Sequence, residues 1–436
     1  MPVPFVVPFA QVAPASSAAR PEARILTLDD AVQTALKRQP QVRQARAATS
    51  IARARVEQAA APRLPTITGT ATYLRETGNF APRPGTTQPG AALPTWSLST
   101  SYNYWNAQVG ATQLLYDFGQ TPERHRAAES NAEASYESER STEVSTVFSV
   151  RRAYFAARAQ RALTKVAEET LANQERHLVQ IRGFVTAGTR PEIDLVQART
   201  DVANARVGLI QAQNAYDVSR AQLAQAMGIT GGGDFEVGDD DLPPVADEDA
   251  PTEQLVQRAL AGRPELAALD RQRRAQESTV TATKGAYGPT LAATATVSET
   301  GVALDGLVPN WAVGATLTWP MFQGGLTRGQ VHEAEAGLEN IDAQAETLRL
   351  AVRYDVENAR LSLRAAKATI GAAEEALVNA RERLRLAEGR YAQGVGSAIE
   401  LGDAQVAASS AAAQLVSSQY GLATARAQLL AAVGRK

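Results

Sequence analysis

Pro65-Thr66-Ile67-Thr68-Gly69-Thr70-Ala71-Thr72 returns much later in the chain as Pro289-Thr290-Leu291-Ala292-Ala293-Thr294-Ala295-Thr296. Each copy alternates with a period of two, the signature of a β-strand with two unlike faces. Thr66, Thr68, Thr70 and Thr72 share one face, and Ile67, Gly69, Ala71 and Tyr73 share the other. The same offset aligns Ala35-Leu36 and Pro40 with Ala259-Leu260 and Pro264. Further on, Val109-Gly110-Ala111-Thr112 returns as Val313-Gly314-Ala315-Thr316, and Ala221-Gln222-Leu223 with Gly228 returns as Ala427-Gln428-Leu429 with Gly434. The order of pieces is shared too: a helical stretch, two alternating strands, then two long helical stretches. One duplication followed by divergence explains these alignments. It divides the chain into an N-terminal flexible segment (1–25), a first repeat (26–230), an acidic linker (231–251) and a second repeat (252–436).

Each repeat contributes one hairpin. The first has strands at about 66–77 and 96–116, and the second at about 290–300 and 310–320. Residues 78–94 are rich in Gly, Pro and Thr and read as an exposed loop. In the return strands, Ala107, Val109 and Ala111 oppose Asn106, Gln108, Gly110 and Thr112. Likewise Trp311, Val313, Ala315, Leu317 and Trp319 oppose Ala312, Gly314, Thr316 and Thr318.

The rest of the chain is mostly helix. Thr27 is placed to cap a helix whose stripe is Leu28, Val32, Ala35 and Leu36. A second helix follows Pro40 and is stopped by Pro62 and Pro65. From just after Pro122 to about Phe184 there is no proline and little glycine. At about 1.5 Å per residue that stretch spans roughly 95 Å if unbroken. The matching stretch from about Leu326 carries a seam: Leu338, Ile341, Ala345, Leu348, Val352, Val356, Ala359, Leu363, Ala366, Ile370, Ala373, Leu377, Ala380, Leu384, Ala387 and Tyr391. Steps of three and four give heptad spacing, so these helices are expected to pair as antiparallel coiled coils. Turns at Thr186–Pro191 and Gln393–Ser397 reverse them, with Gly188 and Gly394 where a left-handed cap is needed. The run Asp239-Asp240-Asp241 in the linker reads as a solvated charge cluster.

Bulk properties exclude several functions. The 436 residues carry a net charge of −2, so no basic surface suggests nucleic acid. Cysteine is absent, which removes disulfides, thiolate metal sites and thiol catalysis. No apolar run reaches the length of a membrane-spanning helix. Residues 1–19 interleave apolar residues with Pro2, Pro4 and Pro8 but lack a positively charged start; they read as a processed leader or a flexible tail. His125, His177 and His332 are isolated on helical stretches, and neither a phosphate loop nor a nucleophile elbow is present. No enzyme, cofactor or metal site is expected.

Threonine, asparagine and glutamine line one strand face, and small apolar residues with tryptophan line the other. A soluble sandwich would fill its apolar face with larger side chains, whereas an outer-membrane barrel has lipid outside and water inside. Trp96, Trp105, Trp311 and Trp319 all fall in return strands, and such rings favour the headgroup level of a bilayer. The alternative is a soluble sheet with aromatic cross-strand pairs. In lipid an open sheet edge is forbidden, because unpaired backbone groups have no water to meet. Four strands cannot enclose a lumen, so the barrel must be shared among copies: eight strands from two, twelve from three.

These features together resemble the TolC family of outer-membrane efflux and secretion proteins. The resemblance runs from about Leu26 to Gly434. It rests on the duplication, on the openings Leu28 to Pro40 and Leu255 to Pro264, and on the tips Gly188-x5-Asp194-Leu195-x2-Ala198 and Tyr391-x2-Gly394-x5-Glu400-Leu401-x-Asp403-Ala404. It implies a mostly α protomer with a small β part, three copies of which form a shared twelve-stranded β-barrel continuous with a long periplasmic α-helical barrel. It implies residence in the outer membrane of a Gram-negative bacterium, a periplasmic adaptor (membrane fusion) protein, an inner-membrane pump, and export of small toxic molecules. Protein secretion by a type I system is the alternative, followed by a soluble coiled-coil scaffold. By the same resemblance, Glu400 and Asp403 fall on the acidic ring of the periplasmic gate, and Tyr391 and Asp194 on a link that holds it shut. Gly188, Thr189, Gly394 and Val395 fall where the adaptor docks. The family's gate arginine is missing, because its position is Gly396; Arg190 in the earlier tip is the candidate replacement. No cysteine is available for the lipid anchor of the family's lipoprotein branch.

Overall fold

The computed structural model describes residues 24–77, 101–231 and 235–436. In chain order these form β1 (Arg24–Leu26), α1 (Leu28–Arg38), α2 (Pro40–Ala60), β2 (Thr66–Thr77), β3 (Ser101–Tyr116), α3 (Gln120–Thr186), α4 (Glu192–Met227), β4 (Phe235–Val237), α5 (Thr252–Gly262), α6 (Pro264–Gly285), β5 (Thr290–Gly301), β6 (Val308–Thr318), α7 (Leu326–Ala392) and α8 (Ala398–Ala432). The order within each repeat is the one the sequence predicts. Residues 1–19, the whole of the 78–94 loop and Trp96 lie outside the described residues.

The chain divides into two compact units, and each draws on both repeats. One contains the residues up to Ala35, Ser149–Pro243 and Lys367–Thr424; the other contains Leu36–Phe148, Pro244–Ala366 and Ala425–Lys436.

The second unit holds a four-stranded antiparallel sheet in the order β2-β3-β5-β6. Its register keeps the two faces chemically distinct across all four strands. Gly69 pairs with Val109, Val109 with Val297, and Val297 with Trp311; one step along, Thr68 pairs with Gly110 and Gly110 with Thr296. A slip of one residue would mix the faces. Among the described residues β6 is exposed along its whole length, with Trp311 75% and Val313 73% exposed. Tyr73 and Trp105 are paired residues whose ring centroids lie 4.4 Å apart. Trp319 sits just past the end of β6 rather than within it, and its indole N–H donates to the Tyr287 carbonyl at 3.1 Å. Elsewhere in this unit Arg263 donates to Asp355 at 3.0 Å and to the Ala432 carbonyl at 2.7 Å.

Helix boundaries follow local chemistry. Thr27 caps α1, its hydroxyl accepting from Asp30 N–H at 3.2 Å. The buried stripe of α1 is Leu28, Ala31 and Ala35, while the expected Val32 and Leu36 are half-buried. Pro40 and Pro264 open α2 and α6 at positions where a missing N–H costs nothing. Each of α3 and α7 is one helix of 67 residues. Every residue of the predicted α7 seam is buried or half-buried.

Two expectations for the chain's polar segments are corrected in the first unit. Arg24 and Ile25, assigned to a flexible segment, belong to β1, which pairs in parallel with β4 inside the supposed linker. Asp239 and Asp241 are exposed, as expected of solvated charge, but Asp240 between them is half-buried and tied in. Asp240 accepts from Leu28 N–H at 3.1 Å and from the Tyr154 hydroxyl at 2.6 Å; Arg158 reaches Asp241, and Arg161 reaches Asp239 at 3.3 Å. The Asp240 carboxylate thus caps α1 from the segment that follows the first repeat, beside the fully buried Tyr154 and Phe155. Burial and the Asp240 carboxylate push the Tyr154 hydroxyl well above the ordinary tyrosine range, so it stays a donor.

Candidate functional site

The predicted gate residues fall on two helix-hairpin turns of the first unit. The α3–α4 turn follows Thr186, where Gly188 has φ 74° and accordingly needs glycine. The α7–α8 turn follows Ala392, where Gly394 has φ 79°. Ser397 caps α8, its hydroxyl accepting from Glu400 N–H at 3.1 Å. Beneath the turns lies a small core of Ile181, Ala198, Ala387, Tyr391, Leu401 and Ala404. Alanine at three of these six positions lets the helix backbones approach closely.

Tyr391 is the centre of this core and is only 3% exposed. Its hydroxyl donates to Asp194 Oδ2 at 3.3 Å. Phe184 meets its ring edge-on with centroids 6.3 Å apart. Burial, with the Asp194 charge beside it, raises the Tyr391 hydroxyl above the ordinary tyrosine range, while Arg190 opposes the shift. The predicted Tyr391–Asp194 pair is therefore brought together, with the phenol protonated at neutral pH.

Arg190 also meets the other turn. Its guanidinium carbon lies 4.4 Å from the Tyr391 ring centroid. It donates to the Tyr391 carbonyl at 3.2 Å and to the Gly396 carbonyl at 3.1 Å. Gly396 is buried, and a Cβ there would lie 2.9 Å from Tyr391 N and 3.1 Å from Arg390 C. The turn must shift before this position can carry a side chain.

The two predicted ring carboxylates differ. Glu400 is half-buried and pairs with Arg390 Nε at 3.3 Å; Asp403 is exposed and has no ion-pair partner among the described residues. Sequence reasoning missed Arg390, since its contact with Glu400 crosses a turn and follows no helical period. The predicted docking residues Gly188, Thr189, Gly394 and Val395 are all exposed, Val395 at 68%. Of the four predicted interface tryptophans, Trp311 and Trp319 are exposed and Trp105 is half-buried against Tyr73.

The model of the outer membrane efflux protein family matches residues 31–229 and 255–435, one match in each repeat. The solvent efflux pump outer membrane protein SrpC of Pseudomonas putida is 27% identical over 394 residues, covering 86% of this chain and 78% of SrpC. The outer membrane efflux protein BepC of Brucella suis is 24% identical over 334 residues, covering 75% and 71% of the two chains. Among solved structures, the outer-membrane channel OprN superposes with a TM-score of 0.80 at 20% identity, covering 94% of this chain and 90% of OprN. VceC of Vibrio cholerae gives 0.79 at 19% identity, covering 94% and 96%. The chain belongs to the outer membrane efflux protein family, and the outer membrane is where it resides.

Proposed function

We propose that this chain is one protomer of a homotrimeric channel-tunnel that exports small toxic molecules across the outer membrane, together with a periplasmic adaptor and an inner-membrane pump. The observation that carries this reading is the sheet. It has four strands, edges at β2 and β6 that are open among the described residues, and a mainly apolar face backed by a face of threonine, serine, asparagine, glutamine and small residues. In lipid those edges must be paired, and pairing β6 of one copy with β2 of the next leaves none open. Three copies supply twelve strands, with the apolar face toward lipid and the threonine face toward water. The relatives' names, which include solvent, toluene and antibiotic efflux, favour apolar toxic compounds as cargo. Restoring the gene to a deletion strain should restore growth on toluene or a hydrophobic antibiotic. Unchanged sensitivity to a broad panel of such compounds would reject small-molecule efflux.

The hairpin tips act as the gate in this reading. Tyr391 and Asp194 link neighbouring hairpins, and Glu400 and Asp403 supply negative charge at the constriction. Threefold repetition places six carboxylates in one throat, which favours cations over anions. Glu400→Ala with Asp403→Ala is expected to lower cation selectivity severalfold in planar-bilayer conductance. The exposed turns at Gly188–Thr189 and Gly394–Val395 are the proposed adaptor contacts, where small residues admit partner helices.

A further inference from the structure

The contacts of Arg190 go beyond filling a missing position in the gate. Its guanidinium makes three contacts with the α7–α8 turn, one through the Tyr391 ring and two through backbone carbonyls. The Tyr391 carbonyl already accepts from Gly394 N–H at 3.1 Å, so Arg190 takes its second lone pair. The Tyr391 carbonyl lies in the last turn of α7, where the helix dipole favours a cation, and the Gly396 carbonyl lies in the turn beyond it. Arg390, the basic residue in the last turn of α7 itself, pairs with Glu400 instead. The cation at the end of α7 therefore comes from the opposite hairpin. The buried, crowded Gly396 fits this arrangement: it leaves its carbonyl open to Arg190 and admits no arginine of its own without movement.

We infer that Arg190 is the positioning residue that holds Tyr391 in its link to Asp194, capping α7 in trans and binding the two hairpin turns into one unit. Tyr391 is then fixed from two sides. Asp194 holds only its hydroxyl, while Arg190 holds its ring and its backbone. Both carbonyls accept from one terminal nitrogen while the guanidinium carbon lies over the ring, so the charge delocalised across the planar group serves ring and carbonyls together, whereas a lysine's single ammonium point charge must serve one at the expense of the other. It follows that loss of Arg190 loosens the second turn more than loss of the tyrosine hydroxyl does. The consequence for leak rests on the gate reading above; the consequence for turn stability does not.

The test uses the full-length protein in detergent and in cells. Hydrogen exchange is followed by mass spectrometry on peptides spanning residues 390–397, in wild type, Arg190→Ala, Arg190→Lys and Tyr391→Phe. Arg190→Ala should speed exchange in this turn about tenfold, the scale of a lost charge-assisted hydrogen bond. Arg190→Lys should recover less than half of that protection on a logarithmic scale, Tyr391→Phe should change it less than threefold, and peptides from β5 and β6 should be unaffected. Wild-type exchange in Arg190→Ala, full rescue by lysine, or a larger effect from Tyr391→Phe would overturn the assignment. Cells carrying the same variants at equal outer-membrane levels are then tested for entry of a large hydrophilic antibiotic. Greater entry in Arg190→Ala than in Tyr391→Phe supports the full inference. Faster exchange without entry in either variant retains the positioning role and rejects the gate. Entry in Tyr391→Phe alone, with unchanged exchange in Arg190→Ala, rejects the positioning role and retains the gate.

Discussion

In the sheet, every residue of β6 is exposed and, among the described residues, the strands at both edges lack a partner on one side; in the tips, Tyr391 is almost wholly buried and held through its hydroxyl, ring and carbonyl. Both regions come from duplicated sequence, yet only one of them is buried and tied within the chain. The sheet has chosen its faces without covering them, which makes sense only where lipid, water and sibling chains complete it. The contrast shows that one chain can bury and tie one of its regions completely while leaving another open.

Reversing the sheet's faces should have the largest effect. Val313→Arg places a charge on the apolar face, at a cost of about 2–4 kcal/mol if the site lies near the bilayer midplane. It should sharply reduce the oligomer recovered from outer-membrane fractions, while Thr316→Arg on the opposite face leaves assembly intact. Equal recovery of both variants would mean that the faces have no lipid and water sides.

A comparable but smaller effect is expected at a polar tie made within one chain. Asp240→Ala leaves Leu28 N–H uncapped and the buried Tyr154 hydroxyl without its closest acceptor, a loss of about 2–4 kcal/mol. Thermal unfolding of the purified protein should record a clear fall in Tm, larger than that for Tyr154→Phe. A shift no greater than that of an exposed control such as Asp249→Ala would return Asp240 to the status of solvent-facing charge.

Within the tips the effects should be graded by how each group is held. Glu400 shares its charge with Arg390 whereas Asp403 is unpaired among the described residues, so Asp403→Asn should reduce cation selectivity more than Glu400→Gln in bilayer recordings. The reverse order would place the Arg390 pair outside the throat. Tyr391→Phe removes one hydrogen bond of about 1 kcal/mol and should raise antibiotic entry only severalfold. The smallest effect concerns pH. The Tyr391 hydroxyl titrates above its ordinary value of 10.0. A raised value means its contribution is complete below that pH and is lost only as pH rises through the higher folded value. The ratio of entry in Tyr391→Phe to wild type should therefore stay flat from pH 6 to 9. A ratio that falls toward unity over that range would assign the link to a different titrating group.

Much of this was legible because it repeats. The α7 seam could be read to its last residue, Tyr391, because coiled-coil burial follows a fixed period along one helix. The strand faces could be read because alternation is a property of a single extended segment. Arg24 and Ile25 could not be recognised as strand, since three residues carry no periodic signal and their partners lie beyond residue 230. Asp240 looked like solvated charge because Leu28 and Tyr154 are far away in sequence. Arg190 could be named as a candidate, but its hold on the Tyr391 ring and the Gly396 carbonyl depended on bringing two turns of different repeats together.

Periodic features can be read from single segments: two duplicated hairpins, their unlike faces, the long helical seam and the glycines that reverse the helices. These are set by the local geometry of the backbone, which each segment carries with it. Only the tertiary structure decided the register that joins four strands into one two-faced sheet, the capping of α1 by Asp240 and the pairing of Arg390 with Glu400. These depend on directional contacts at hydrogen-bonding range between segments distant in sequence, and no pattern along a single segment encodes that distance.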